Sequence, residues 1–290
     1  MLYFAYGSNL DEGDLARFCG ERGFDPLVLE PVGAAYLPDR RLAFTHRSTS
    51  RGGGVLDVPP ARGRAVAGVL FRVPSDEAVA ALDRKETDGH VYERFASIVL
   101  TEDGAEQKIF SYQVASSHRL PFVAPVASYL EIVRRGYRAH GLDVGPLDAA
   151  AEGRSPSDPI AGLFVYGTLR LGEERHGVLI RHGATGGERV STIGTLFDLG
   201  AYPGLAVVEP CGTVVGELYV APDVDALFRE LDPIETFHGF GAAGSLYRRA
   251  VIRVRDRTSR STLAWTYVFT RSTDGIPIIA SGDWRRRRRP

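Results

Sequence analysis

The sequence predicts an α+β protein made of two related domains, and three observations lead there. The chain has 290 residues, and at roughly 100–200 residues per domain that length accommodates two. A short apolar run ending in Tyr-Gly and a hydroxyl residue occurs twice, as Tyr3-Phe4-Ala5-Tyr6-Gly7-Ser8-Asn9-Leu10 and as Leu163-Phe164-Val165-Tyr166-Gly167-Thr168-Leu169-Arg170. Around both copies lie many β-prone runs and a few helical patterns.

Each copy reads as strand, tight turn, then helix or turn start. Aromatic and β-branched residues favour the strand. Glycine permits a sharp turn or a close backbone approach. The Ser or Thr suits a helix start, where its side chain satisfies a free N–H. Several N–H groups then converge on one spot, which suits a carboxylate or phosphate.

The elements follow in order. Residues 11–19 form a short helix with acidic residues in its first turn. Strands are expected at 27–32 and 34–44, with a turn at Pro38-Asp39. Arg51-Gly52-Gly53-Gly54 is a loop tip or a backbone lining a pocket. Strands at 55–58 and 65–73 flank Pro59-Pro60. A helix capped by Ser75 or Asp76 runs towards Glu86. Strands at 95–100 and 109–114 meet at Asp103-Gly104. Residues 126–140 form an amphipathic helix through Val126, Tyr129, Leu130, Val133 and Tyr137, stopped by Gly141. The Gly-, Pro- and Ser-rich stretch 143–161 reads as a linker, giving domains at 1–148 and 162–290 joined by 149–161.

The second half repeats this plan. Strands are expected at 163–165, 190–199, 214–220, 247–254 and 262–269, with a turn-rich loop at Gly200-Ala201-Tyr202-Pro203-Gly204 and a helix at 223–231. Residues 278–290 match nothing in the first half, and the helix at 126–140 has no partner in the second.

A further signature recurs in the same order. Leu82-Asp83-Arg84-Lys85-Glu86 aligns with Leu231-Asp232-Pro233-Ile234-Glu235, Tyr92-Glu93-Arg94 with Tyr247-Arg248-Arg249, and Tyr112 with Tyr267. On these residues both halves resemble gamma-glutamylcyclotransferase domains. Gly136 and His140-Gly141-Leu142 also resemble the tail of the gamma-glutamylcyclotransferase proper. The second half, with Tyr202-Pro203-Gly204-Leu205, is similar to the gamma-glutamylamine cyclotransferase branch, which includes the deprotecting enzyme of butirosin biosynthesis. The resemblance implies that each domain is a mixed barrel-like sheet with a few helices and a pocket at one end. Family members commonly have Gly after the acidic residue, where this chain has Thr87 and Thr236. Residues 237–245 lengthen the second interval and suggest a mobile pocket rim.

The reaction implied is an intramolecular transamidation. The α-amine of a γ-glutamyl group attacks its own γ-carbonyl, 5-oxoproline forms, and an amine leaves. Ring closure supplies proximity, and one carboxylate can make both proton transfers. By resemblance the acids are Glu86 and Glu235, so two active sites are expected, each carboxyl raised by burial. The turns, Tyr6, Gly7, Ser8, Asn9 and Leu10 in one domain and Tyr166, Gly167, Thr168 and Leu169 in the other, would hold the α-carboxylate. Tyr92, Tyr112, Tyr202, Tyr247 and Tyr267 wall the pocket or bind substrate, although the strand tyrosines equally suit the core. An alternative is that only one domain is catalytic and the other a binding or structural module. Lys85 beside Glu86 and the glycine-rich insert are the features that make either half a candidate for silence.

No cofactor and no metal are expected: the seven histidines and two cysteines show no ligand spacing. His46, His90, His176 and His238 read as structural or surface residues. The formal net charge of -1 argues against a general nucleic-acid binder. The arginine run beginning at Arg285 (285–289) reads as a solvated tail, with Trp284 as its anchor. Cys19 and Cys211 allow no disulfide framework, and a reducing, cytoplasmic setting fits. No secretion signal or membrane span is expected. The partner is a small γ-glutamyl molecule, and oligomeric state is not legible.

Overall fold

The computed structural model describes residues 1–25, 29–87, 91–207 and 211–287. The chain forms two compact units. One is Met1–Val99 with Gln107–Pro159, and the other is Leu100–Glu106 with Ile160–Pro290.

The first unit begins with β1 (Leu2–Ala5), α1 (Glu12–Arg22), β2 (Glu30–Arg40), β3 (Ala43–Ser48), β4 (Gly53–Asp57) and β5 (Pro60–Arg72). It continues with α2 (Asp76–Thr87), β6 (Tyr92–Leu100), β7 (Glu106–Val114), α3 (Ala127–Ala139) and α4 (Gly145–Ala151). The sheet closes into a barrel in the order β1-β5-β2-β6-β7. The closing contact is a parallel one, with Tyr3 opposite Phe110. Phe4, Leu37, Val66, Leu70, Val99 and Leu82 fill the core.

Several expectations change here. Pro38-Asp39 is not a turn. β2 runs through it with a bulge between Pro38 and Arg40, and Asp39 takes a left-handed φ of 55°. One extra residue bends a strand without ending it. Gly53 and Gly54 are neither a loose tip nor a pocket lining, because they lie buried in β4. A Cβ on Gly54 would sit 1.9 Å from the Val123 carbonyl oxygen, so a crossing backbone demands the glycine. The stretch read as linker contains α4, whose Leu147 and Ala150 are buried in the first core. Of the strand expected at 27–32, residues 27 and 28 lie outside the described residues.

The second unit has β8 (Leu163–Val165), α5 (His176–Arg181), β9 (Thr185–Asp198), β10 (Pro203–Ala206), β11 (Gly212–Val220), α6 (Val224–Ile234), β12 (Tyr247–Arg255) and β13 (Ser261–Phe269). The order is β10-β9-β11-β8-β13-β12, and β12 returns to β9 through Arg255 and Ser191. Five strands therefore close, and β10 lies on the β9 edge. β8 runs parallel to β13 as β1 does to β7. α6 lies where a helix was expected and runs three residues further, and Asp223 caps its start through the Ala226 amide. α5 has no counterpart among the expected elements. Among the described residues no helix is long and apolar enough to cross a membrane.

The two segments that lacked partners in the sequence take equivalent places. In the first unit α3 lies on the turn after β1. A Cβ on Gly136 would meet the Leu10 Cβ at 2.6 Å, and Tyr137 donates to the Tyr6 carbonyl at 3.1 Å. In the second unit the C-terminal segment braces the residue after the turn. Buried Arg170 pairs with Asp283 at 2.6 Å and Glu217 at 3.3 Å, and Trp284 is buried in the core. Trp284 is the anchor that was expected, and Arg285 and Arg286 behind it are exposed. Arg285 pairs with Glu217 at 3.0 Å, and Arg287 lies 3.4 Å over the Trp284 ring. Arg288 and Arg289 lie outside the described residues.

Candidate functional site

The repeated signature folds into the same frame in both units. At the end of β1, Leu10 N–H donates to the Gly7 carbonyl at 3.1 Å and closes a 3-10 turn over Ser8–Leu10. At the end of β8, Arg170 N–H donates to Gly167 at 3.1 Å. The first amides of such a turn have no carbonyl behind them to reach. Ser8 and Asn9, and Thr168 and Leu169, are therefore left with N–H groups to offer a ligand. Leu10 does not join them. Its amide closes the turn and its side chain is buried under α3, because the turn's rotation carries that position inward.

The two leading tyrosines fix the strands. Tyr6 OH donates to the Tyr112 carbonyl at 2.7 Å, and Tyr166 OH donates to the Tyr267 carbonyl at 2.7 Å. Their phenol protons are committed to backbone. Burial raises both phenols far above the ordinary range.

The Leu-Asp-x-x-Glu segments end α2 and α6. Leu82 and Leu231 are fully buried, worth about 1.5–3 kcal/mol each. Asp83 accepts from Tyr112 OH at 2.8 Å and Asp232 from Tyr267 OH at 2.7 Å. Arg94 and Arg249 pair with the same two aspartates at 3.0 and 3.1 Å. The recurring Asp, Tyr-x-Arg and late Tyr are thus one device that ties the helix end to the sheet. The order of these residues was legible, but their mutual bonding was not.

The two resulting cavities differ. The second is about 210 Å³ and is lined by Tyr166, Gly167, Thr168, Leu169, Tyr202, Glu235, Tyr247 and Tyr267, every residue expected there. Arg175 also lines it, and nothing in the sequence pointed to that residue. Burial pushes the Glu235 carboxyl up to about 7, opposed by the Arg175 charge. The carboxylate accepts no hydrogen bond from the described residues. Tyr247 OH donates to the Pro203 carbonyl at 2.7 Å, and its ring lies 6.3 Å from Tyr202.

Thr236 takes a left-handed φ of 52°, a conformation that glycine adopts with less strain. Its carbonyl accepts from Leu246, and the Glu235 carbonyl from Tyr247, both at 3.2 Å. Thr236 and Leu246 line the cavity, but the insert between them does not. Phe237 and Phe240 instead pack on the Arg249 guanidinium, at 5.1 and 5.0 Å. The insert therefore lies off the cavity and is not its rim, and its two ends are joined by the Thr236–Leu246 bond.

The first cavity is about 30 Å³, lined by Tyr3, Tyr6, Gly7, Ser8, Asn9, Glu86, Tyr92 and Tyr112 and narrowed by Leu56 and Tyr129. Tyr92 OH donates to the Leu56 carbonyl at 2.7 Å. Burial raises Glu86, opposed by the Lys85 charge and the Asn9 bond. Asn9 Nδ2 donates to Glu86 Oε1 at 2.8 Å, while Asn9 Oδ1 accepts from Lys85 Nζ at 2.7 Å. Lys85 also bonds Asp14 at 2.9 Å, and Arg51 clamps Asp14 at 2.8 and 2.7 Å. Burial lifts the Asp14 carboxyl, but these two cations more than offset it and hold it well below the usual range. His176 Nδ1 lies 3.1 Å from the Leu169 carbonyl, a supporting contact. His90 lies outside the described residues.

The comparisons agree with this duplication. A family model described as gamma-glutamyl cyclotransferase, AIG2-like, matches residues 3–129 and 163–286. A putative gamma-glutamylcyclotransferase of Vibrio cholerae is 35% identical over 125 residues, covering 43% of this chain and 96% of that protein. The gamma-L-glutamyl-butirosin B gamma-glutamyl cyclotransferase of Niallia circulans is 32% identical over 127 residues, covering 43% of this chain and 76% of that protein. A solved gamma-glutamyl cyclotransferase structure overlays with a TM-score of 0.43 at 25% identity, covering 55% of this chain and 88% of that one. With the model matched twice, the chain belongs to the gamma-glutamyl cyclotransferase, AIG2-like family, as a tandem pair of its domains.

Proposed function

We propose that the protein converts a γ-glutamyl amide into 5-oxoproline and a free amine at the second domain, with Glu235 as the acid and base. The observation that carries this is an uncovered, buried carboxylate facing the free amides of the 167–169 turn across a cavity of about 210 Å³. The turn amides hold the substrate α-carboxylate, a charge-assisted contact. Glu235 takes a proton from the α-ammonium. The freed amine attacks the γ-carbonyl, a ring C–N bond forms, and the bond to the departing amine breaks. Glu235 returns its proton to that amine. No water, oxidant or reductant is consumed. A carboxyl near 7 suits both transfers at neutral pH.

The first domain fits the alternative of a binding or structural module. Its cavity, about 30 Å³ against about 210 Å³ in the second domain, leaves far less room for a γ-glutamyl group. Glu86 is also held by Asn9 beside the buried Lys85. The test is 5-oxoproline release from γ-glutamyl amides by three full-length forms. The native chain and Glu86→Gln turn over, and Glu235→Gln loses at least a hundredfold. Full turnover in Glu235→Gln overturns the reading.

A further inference from the structure

Arg175 stands in the second cavity without a carboxylate of its own. Its backbone N–H donates to the Thr168 carbonyl at 2.9 Å, which fixes the residue beside the anion-holding turn. The residue lines the cavity with Glu235 and Tyr247, and its charge is felt by both of those groups. Among the described residues its guanidinium makes no hydrogen bond or ion pair. Neighbouring Glu173 lies 3.6 Å from Arg285 instead, and Glu174 is exposed. The first site has no such group: Lys85 and Arg51 both close on Asp14.

A half-buried guanidinium presents a planar fork of donors that matches a carboxylate two bonds at a time. The γ-glutamyl half of a substrate has one carboxylate, and the Thr168 and Leu169 amides account for it. A second must come from the departing half. The cavity has room for it: at about 210 Å³ it far exceeds the first domain's cavity of about 30 Å³. Glu235 does not permanently satisfy Arg175, since it alternates between charged and neutral forms during the reaction.

We propose that Arg175 is a specificity-determining residue of the second site, and that the substrates it selects are γ-glutamyl amides whose amine half carries a carboxylate. This rests on the cyclotransferase reading above. Arg175 holds the departing half at its anionic end, leaving the amide nitrogen towards Glu235. Neutral amines leave the guanidinium without a partner and bind more weakly.

The test uses the full chain and a matched pair of probes, γ-glutamyl-glycine and γ-glutamyl-glycinamide, which differ by one charge. The native protein should favour the carboxylate probe by tenfold or more in kcat/KM, chiefly through KM. Arg175→Gln should bring the ratio to within about threefold of one, and Arg175→Lys should keep part of the preference. A ratio near one in the native chain, or a preference that Arg175→Gln leaves intact, overturns the proposal. Calorimetric binding of both probes to the Glu235→Gln chain separates the two claims. If the native chain turned over neither probe, yet Glu235→Gln bound the carboxylate probe tenfold tighter through Arg175, the cyclotransferase reading would fall and the anion site would stand. Turnover of both probes without an Arg175-dependent preference leaves the reaction standing and sinks the specificity.

Discussion

Tyr267 donates a 2.7 Å hydrogen bond to Asp232, three residues before Glu235, and Tyr112 donates the matching bond to Asp83, three residues before Glu86. A strand tyrosine therefore sets the end of the helix that delivers each glutamate. Asp232 and Tyr267 are both buried, whereas Asp83 is only partly so. Tyr267→Phe should cost about 1–3 kcal/mol, since it removes a bond to a charged buried group, and should lower kcat/KM about tenfold. Tyr112→Phe should cost less. Urea denaturation and 5-oxoproline release measure the two effects.

With Glu235 as the proposed acid and base, its carboxyl sets the pH dependence expected of turnover. The carboxyl reaches about 7 because burial disfavours its charge. It can accept the substrate's proton only when ionised. The kcat/KM should therefore rise with pH through about 7, and a profile whose acid limb sits near the ordinary carboxylate range would contradict this assignment.

Stability should move the opposite way. The unfolded chain releases this proton near the ordinary 4.5, the folded chain near 7. Below 4.5 both states keep it, and the contribution is fully present. Between these values the unfolded state ionises first, so stability falls as pH rises. Above 7 the loss is complete, at most about 3 kcal/mol. Glu235→Gln should therefore be more stable than the native chain at pH 8 and no different at pH 4, as read by thermal unfolding at the two pH values.

The two turn glycines should respond unequally. A Cβ on Gly167 would sit 2.6 Å from the Pro203 ring, while one on Gly7 meets only Leu56 at 4.0 Å. A proline ring cannot swing aside. Gly167→Ala should cost about 1–3 kcal/mol through overpacking and impair turnover with it. Gly7→Ala should fold nearly as the native protein does. Melting curves of the two variants decide the matter.

Removing residues 283–290 should destabilise the second domain by several kcal/mol. Trp284 leaves the core, a loss of about 3–5 kcal/mol for a large buried aromatic, and buried Arg170 is stripped of Asp283. A truncated chain with native stability would contradict the bracing role of Asp283 and Trp284.

Much of this was legible in residue order. Strand runs, the Ser75 cap and the Tyr-Gly turns are local, because pleat alternation and capping act over a few residues. The errors were local patterns overruled by distant ones. Pro38-Asp39 has turn chemistry, but pairing with β5 carries the strand through it. Gly53 and Gly54 look like a flexible tip, yet the segment at 123–126 presses on them.

The sequence by itself determined that the fold is duplicated, that each copy brings an amide-bearing turn and a glutamate, and which tyrosines stand near them. Only the tertiary structure decided that these parts do not make equal sites. Leu56 and Tyr129 narrow the first cavity and Asn9 covers Glu86, while the second stays open with Glu235 uncovered and Arg175 beside it. The physical reason is that a turn or cap depends on its own residues, whereas the volume and charge of a cavity depend on side chains delivered from elements far apart in the chain.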